Sequence, residues 1–194
     1  MTMRLDTYLF EKGLCQSRSR AQNLIKMGQV AVNGNIAEKS SFEVNETDNI
    51  EVLCAEFASL GAFKLEKALD DFSYDCNGKI CVDIGASNGG FTEVLLSVGA
   101  SRVYAVDVGE CALPERLVNN KKVIVKDRLN ARYIKPSDIG EEADLAVIDV
   151  SFIPIELVLM PVANLVKKGG NVIALIKPQF ECQKKNLTKK GIVK

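Results

Sequence analysis

No histidine occurs anywhere in the 194 residues. That absence removes Ser-His-Asp and Cys-His catalysis and every histidine-ligated metal centre, and it leaves proton handling to Lys, Asp, Glu, Tyr or Cys. The six cysteines, Cys15, Cys54, Cys76, Cys81, Cys111 and Cys182, include no C-x-x-C pair. Neither a zinc knuckle nor a dithiol redox motif is suggested, and no metal is expected. Scattered thiols without an export signal fit a reducing cytoplasm. No apolar run is long enough to span a bilayer, so no membrane partner is expected. Net charge is missing as well, with Lys+Arg and Asp+Glu at 25 each. The charge is unevenly placed, however. Arg4, Lys12, Arg18, Arg20 and Lys26 crowd the start, lysines 184, 185, 189, 190 and 194 crowd the end, and acids dominate from Glu43 to Glu56. A basic patch on a neutral chain can still track phosphates.

What remains is ordinary globular material, 47% hydrophobic and 26% charged, enough for a small domain plus a medium one. In the first module Leu5, Leu9 and Phe10 predict a short helix ending at Gly13. Ser17 reads as the cap of a second, with Ala21, Leu24 and Ile25 at helical spacing. Val30–Val32 is a short strand, Asn33-Gly34 is a tight hairpin turn, Phe42 and Val44 alternate with polar neighbours, and 50–53 closes as a strand. Residues 1–55 thus read as a small α+β domain and 56–63 as a linker. In the helix that follows, Leu65, Ala68, Leu69 and Phe72 form the apolar stripe. From there five apolar strands, at 80–84, 103–107, 123–125, 145–149 and 172–176, alternate with helices. That alternation makes 64–194 a doubly wound, mostly parallel, Rossmann-like α/β sheet.

The densest local signal is the run from Asp83 to Thr92, DIGASNGGFT, between the first strand and its helix. Glycines there let a ligand approach the backbone. Asp107 ends the next strand, where a carboxylate can hold both hydroxyls of an adenosine ribose. Gly85 is followed two positions on by Ser87, not by the glycine of the dinucleotide pattern, which argues against a nicotinamide cofactor. S-adenosylmethionine carries no phosphate and does not need the tighter turn. The plainer alternative is that these glycines only shape a strand-to-helix turn. Asp149 and Lys177 end the fourth and fifth strands, and ligands in open α/β sheets sit beyond the carboxyl ends of strands. Asp83, Asp107, Asp149 and Lys177 are therefore expected around one crevice. Lys64 lies on a polar helix face, and its pattern alone makes it structural.

Two sets of motifs carry a resemblance. The first is Arg4-Leu5-Asp6, Gly13-Leu14, Ser17 to Ala21, Leu24-Ile25, Gly28 to Gly34 and Lys39-Ser40, which resembles the RNA-binding domain named for ribosomal protein S-four. The second is Gly61 to Leu69, the glycine loop, Ile148-Asp149-Val150-Ser151-Phe152 and Ile176-Lys177-Pro178-Gln179-Phe180-Glu181, which resembles the FtsJ-like ribose methyltransferases. In this order they resemble the TlyA (haemolysin A) family over essentially the whole chain. The resemblance implies S-adenosylmethionine-dependent 2′-O-methylation of cytidine in ribosomal RNA or ribosomal subunits. It also implies three members of a Lys-Asp-Lys-Glu tetrad in Lys64, Asp149 and Lys177. Lys177 would be the base, Asp149 would orient it, and Lys64 would tune the base or hold the ribose. Asp83, Gly85, Ser87, Gly89, Gly90, Phe91, Asp107 and Asp149 would bind the cofactor. Arg4, Arg18, Arg20 and Lys26 would meet RNA phosphates, adding affinity without sequence reading.

Two departures qualify the resemblance. Leu60 stands where the family commonly has arginine. The chain also ends at Lys194, before the strands that carry the tetrad's glutamate, and Glu181 follows its strand too closely for that role. The chain therefore reads as a shortened methyltransferase, expected to bind RNA and cofactor but to methylate poorly, with one sheet edge open to association. The alternative is a non-catalytic RNA-binding protein that retains a degenerate methyltransferase fold. A pore-former has no amphipathic membrane segment to support it. An amino-group methyltransferase usually has prolines and an aromatic after the fourth-strand acid, where Val150-Ser151-Phe152 stands here.

Overall fold

The structure, a computed structural model, describes residues 2–15, 17–53, 57–188 and 190–193. Cys54, the expected linker start Glu56, and Lys189 and Lys194 of the basic tail lie outside them. The chain divides into two compact units, 1–56 and 57–194.

In the first unit β1 (Met3–Arg4) leads into α1 (Leu5–Glu11), and α2 (Arg18–Lys26) packs against α1. Ser17 caps α2, its Oγ accepting the Arg20 amide at 3.2 Å. Leu5, Leu9, Leu24 and Ile25 bury the shared face, while Phe10 stays exposed. The hairpin turn falls at Asn33-Gly34, with φ of 51° and 78°. It joins β2 (Val30–Val32) to β3 (Asn35–Ile36), and β5 (Ile50–Val52) pairs on the other side of β2. β4 (Glu43–Val44), at the alternation of Phe42 and Val44 with polar neighbours, pairs antiparallel with β1 in a two-residue ladder.

The second unit begins earlier than the linker boundary suggests. Phe57 is buried edge-on against Phe63 at 5.6 Å, and Glu93 accepts the Ala58 amide. α3 (Ala62–Asp71) buries Ala62, Phe63, Leu65 and Leu69; Phe72, expected on that stripe, is exposed at the helix end. The sheet then forms from β6 (Ile80–Ile84), β7 (Arg102–Val106), β8 (Val123–Lys126), β9 (Ala143–Ile148) and β10 (Val166–Ala174). All its pairings are parallel, in the order β10-β9-β6-β7-β8. Alternate residues face opposite sides. Val82, Ile84, Tyr104, Val106, Ala146 and Ile148 pack with Val158 and Val162 of α7 (Glu156–Ala163) and with Ile139 of α6 (Pro136–Ile139). On the sheet's other side α4 (Gly90–Ser97) packs against β6, β7 and α3, and the short α5 (Glu115–Val118) packs against β8. Burial on both faces explains the uninterrupted apolar runs.

The fifth strand differs from the expectation of 172–176. It starts at Val166, where it pairs with Ala143, and a register shift before Asn171 absorbs the polar Lys-Lys-Gly-Gly stretch. It ends at Ala174, and only the Leu175 amide still bonds to Ile148 O, at 2.8 Å. Lys177 is thus not a strand residue. It is the N-cap of α8 (Pro178–Glu181), whose Pro178 has no amide to leave unsatisfied at the first helical position.

The chain runs outward from β6 through β7 to β8, then returns to the other side of β6 as β9 and β10. That reversal places a topological switch point between β6 and β9, where their carboxyl ends part.

Candidate active site

Gly85 follows β6 directly, and Asp149 follows β9 directly. The two backbones nearly touch: a Cβ on Gly85 would stand 2.7 Å from the Asp149 carbonyl oxygen, and φ at Gly85 is +87°. The loop's amides are largely committed inside the protein. Those of Gly85 and Ala86 both donate to Val106 O, at 2.8 and 3.0 Å, and that of Gly89 donates to Ala86 O at 2.7 Å. Ser87 donates to Asp107 Oδ2 at 2.9 Å. Four amides turned inward leave little of the oriented N–H cradle that a phosphate requires.

Asp107 is fixed from two sides, since its Oδ1 accepts the Gly109 amide at 2.9 Å while Oδ2 takes Ser87. It borders a cavity of about 410 Å³ lined also by Ile84, Val106, Leu129, Asn130, Phe152 and Val158. A smaller cavity of about 190 Å³ adjoins it, lined by Ser59, Gly90, Phe91 and Lys177; Gly85, Ser87, Asp149 and Ser151 border both. Apolar walls with one anchored carboxylate suit a flat base attached to a diol. The donor set therefore fits a nucleoside-like cofactor without phosphates.

Three expected residues meet at the rim. Asp149 Oδ1 pairs with Lys177 Nζ at 2.5 Å, and Oδ2 pairs with Lys64 Nζ at 3.7 Å from the first turn of α3. Lys177 is only 18% exposed, whereas Lys64 is half exposed. Lys177 Nζ also donates to Ser151 Oγ at 2.7 Å. The segments that carry these groups are fastened together. Both carboxylate oxygens of Glu181 accept the Ile155 amide, at 3.0 and 3.1 Å, and Phe180 lies 5.0 Å from Phe152 between ring centres.

Two residues expected at the crevice lie elsewhere. Gly89, in the left-handed conformation that caps α4, packs against Leu113 and Leu117. Asp83 sits inside β6 rather than past its end and is wholly buried; its Oδ2 accepts the Thr92 hydroxyl at 2.7 Å. Burial pushes its carboxyl up to about 7. The sign follows from linkage. The folded carboxyl keeps a proton that the unfolded chain gives up, so stability falls as pH rises from the ordinary carboxylate range to about 7 and is level above it. Asp83→Asn is expected to flatten that decline, measured by denaturation of the full chain across the acid-to-neutral range. An unchanged slope would place the buried proton elsewhere.

The sequence reading missed Ser151, Asn130 and Ser59. Asn130 lies four residues past the end of β8, out of reach of the strand-end rule that found Asp107. Ser151 and Ser59 carry no pattern of their own.

In the first unit Arg4 forks onto Asp6, Nε to Oδ1 and Nη2 to Oδ2 at 3.0 Å each. Gln22 and Arg18 donate to the same Oδ2, at 2.7 and 3.3 Å. Asp6 has no exposed surface. The Arg4 guanidinium above all holds its carboxyl far below the usual range, against the upward pull of burial. Arg4 and Arg18 stay about half exposed, and Lys26 is exposed. Because folding lowers the Asp6 pKa, its stabilisation is present above the unfolded value and is lost as pH falls through the folded one. Asp6→Asn is expected to loosen this unit at neutral pH and to remove that acid-sensitive part. Hydrogen exchange of the α1 and α2 amides in the full chain measures both, and unchanged protection would refute it.

A model of FtsJ-like methyltransferases matches residues 57–194, and one of the S4 domain matches residues 3–50. The chain belongs to the TlyA (haemolysin A) family of FtsJ-like methyltransferases. It is 40% identical to the 16S/23S rRNA (cytidine-2′-O)-methyltransferase TlyA of Mycobacterium tuberculosis, an alignment covering 98% of this chain and 72% of that protein. It is 39% identical to Hemolysin A of Brachyspira hyodysenteriae, covering 99% of this chain and 81% of the relative. A solved structure of a Streptococcus thermophilus protein with a hemolysin name is 36% identical. It superimposes with a TM-score of 0.70 over 100% of this chain and 72% of its own. Within this family fold, the parallel sheet sets the cleft at the β6–β9 switch point.

Proposed function

We propose that this chain methylates the 2′-oxygen of a cytidine ribose in ribosomal RNA, using S-adenosylmethionine, in the cytoplasm. The observation that carries the reading is the meeting of Lys64, Asp149 and Lys177 beside the cavity that Asp107 anchors. Asp107 would hold the cofactor's ribose hydroxyls, and Asn130 with the apolar walls would hold its base. Gly85, Ser87, Gly90, Phe91 and Asp149 would line the path of the remainder. The bound cofactor supplies an electrophilic methyl group on a sulfonium.

The protein's own part is proton removal and alignment. A ribose hydroxyl is a weak acid, so its oxygen attacks well only as its proton leaves. Lys177, as the free amine, accepts that proton at Nζ. Asp149 forms an ion pair with the same nitrogen and fixes its place, and Lys64 pairs with the other carboxylate oxygen. The walls restrict the approach to one line, which is where most of the remaining acceleration arises. Phe152, 90% exposed at the rim, offers a ring face for a base turned out of its stack. Arg4, Arg18, Arg20 and Lys26 of the first unit would bind backbone phosphates.

The test incubates the chain with ribosomal RNA, or with ribosomal subunits, and radiolabelled S-adenosylmethionine, and then cleaves the RNA with alkali. A 2′-O-methyl group blocks cleavage at its own linkage, so the label is expected in alkali-resistant dinucleotides. Label in singly cleaved nucleotides would put the methyl on a base and overturn the ribose assignment. No label, with RNA binding retained, would favour the non-catalytic alternative.

A further inference from the structure

Lys177 Nζ meets two groups on the one segment that follows β9: it pairs with Asp149 Oδ1 at 2.5 Å and donates to Ser151 Oγ at 2.7 Å. An amine that works as a base needs more than a lost proton, because its lone pair must also point at the hydroxyl it is to deprotonate. A lysine amine turns about its last carbon–nitrogen bond. With one acceptor it can rotate about that contact. The hydrogen bond to Ser151 and the ion pair with Asp149 together limit that rotation and narrow the directions open to the lone pair.

Ser151 is well placed to be the second partner. It borders both cavities, between the anchored carboxylate of Asp107 and the amine of Lys177. Its loop is held to the lysine's own segment by Glu181 at the Ile155 amide and by the Phe152–Phe180 contact. The neighbouring Phe152 is fixed at a φ of +64°, a conformation few side chains adopt. The segments that carry the serine hydroxyl and the lysine amine are therefore held together by contacts that neither of those side chains makes.

We infer that Ser151 is a positioning residue for methyl transfer: with Asp149 it fixes the Lys177 amine so that its lone pair faces the ribose hydroxyl. The inference rests on the methyltransferase reading above. In the step itself the ribose O–H bond breaks toward Nζ, which becomes the ammonium. The oxygen takes the methyl, and the carbon–sulfur bonding pair returns to sulfur. Ser151 loses and gains no atom. It accepts an N–H of Lys177 throughout.

The experiment compares the full chain with Ser151→Ala and Ser151→Thr. Ser151 is exposed, so alanine there leaves the core packing untouched. Alanine is expected to lower kcat by about 10- to 100-fold, the scale of a lost alignment, with KM for S-adenosylmethionine within about twofold. Threonine, which keeps the hydroxyl, is expected to restore most of the rate. A second readout needs no turnover. Trace acetylation of the lysines, quantified by mass spectrometry, is expected to label Lys177 several-fold faster in the alanine variant relative to Lys168. The threonine variant should label like the wild type. An alanine variant with unchanged kcat and unchanged labelling overturns the inference, and so does a loss that threonine does not restore. If the wild-type chain transfers no methyl group, the methyltransferase reading fails, and the labelling comparison still decides whether Ser151 restrains the amine.

Discussion

Replacing Lys177 with alanine is expected to lower methyl transfer to ribosomal RNA by about 10³-fold, within the usual range for a lost general base. RNA affinity should stay within about twofold, because the phosphate contacts proposed here belong to the other unit. Arginine is the decisive companion. A guanidinium keeps the positive charge and can pair with Asp149, but it does not lose a proton in a protein. If Lys177 serves only as a cation, arginine should restore much of the rate. If it is the base, arginine should be as inactive as alanine. Asp149→Asn extends the test, since an amide keeps the size of the side chain but no longer neutralises the two lysines that meet there. It is expected to be impaired but less so than the lysine variants. Steady-state rates at saturating cofactor, together with filter binding of RNA, measure all three.

Gly85→Ala is expected to destabilise the second unit by about 2–4 kcal/mol, in the upper part of the range for single substitutions. Two costs combine. The backbone at φ +87° lies where an L side chain is strained. The new Cβ would also meet the Asp149 carbonyl at 2.7 Å, and that carbonyl cannot easily retreat. The Asp149 amide is bonded to Ile84 O at 2.9 Å, one residue before the glycine, so both strands would have to separate. Gly140→Ala supplies the control. Its φ is +89°, and no atom stands within 4 Å of the added Cβ. That variant should show the conformational cost alone, about 1 kcal/mol. Hydrogen exchange of the β6 and β9 amides reads the unit's stability without assuming that the two units unfold together. Equal losses at the two positions would show that the contact with Asp149 relaxes. Gly85→Ala should also weaken cofactor binding, because the carbonyl it pushes belongs to the residue that holds Lys177.

These two residues also mark what the sequence revealed and what it concealed. The β6 strand was legible to the residue, because its apolar run is bounded by glycines and buried on both faces. The start of β10 was not. Val166 pairs with Ala143, but residues 167–170 form the irregularity before pairing resumes at Asn171, so the stretch shows no apolar run. Asp107 and Asp149 were found by the rule that strand-end residues face the crevice. Applied to Asp83, the same rule misled, because Asp83 is the fourth residue of a five-residue strand and not its successor. Alternation then turns it into the interior, against Thr92. The pattern around Lys64 made it a solvated helix residue, and only its family motif pointed to Asp149. Its approach to Asp149 depends on how α3 packs on α4, which no spacing within α3 encodes. Arg4 and Arg18 read as free basic groups because charge counting does not show that a single buried acid gathers both.

That buried acid has a further consequence. A long side chain that becomes immobilised when a partner arrives loses rotational entropy, about 0.5–1.5 kcal/mol for each such group. Arg4 and Arg18 have already surrendered much of theirs to Asp6 on folding. Meeting an RNA phosphate would cost them little additional order, so association should be driven less by enthalpy overcoming disorder than is usual for surface arginines. The binding entropy measured by calorimetry should therefore become more unfavourable when Asp6 is replaced, even where the affinity changes only modestly.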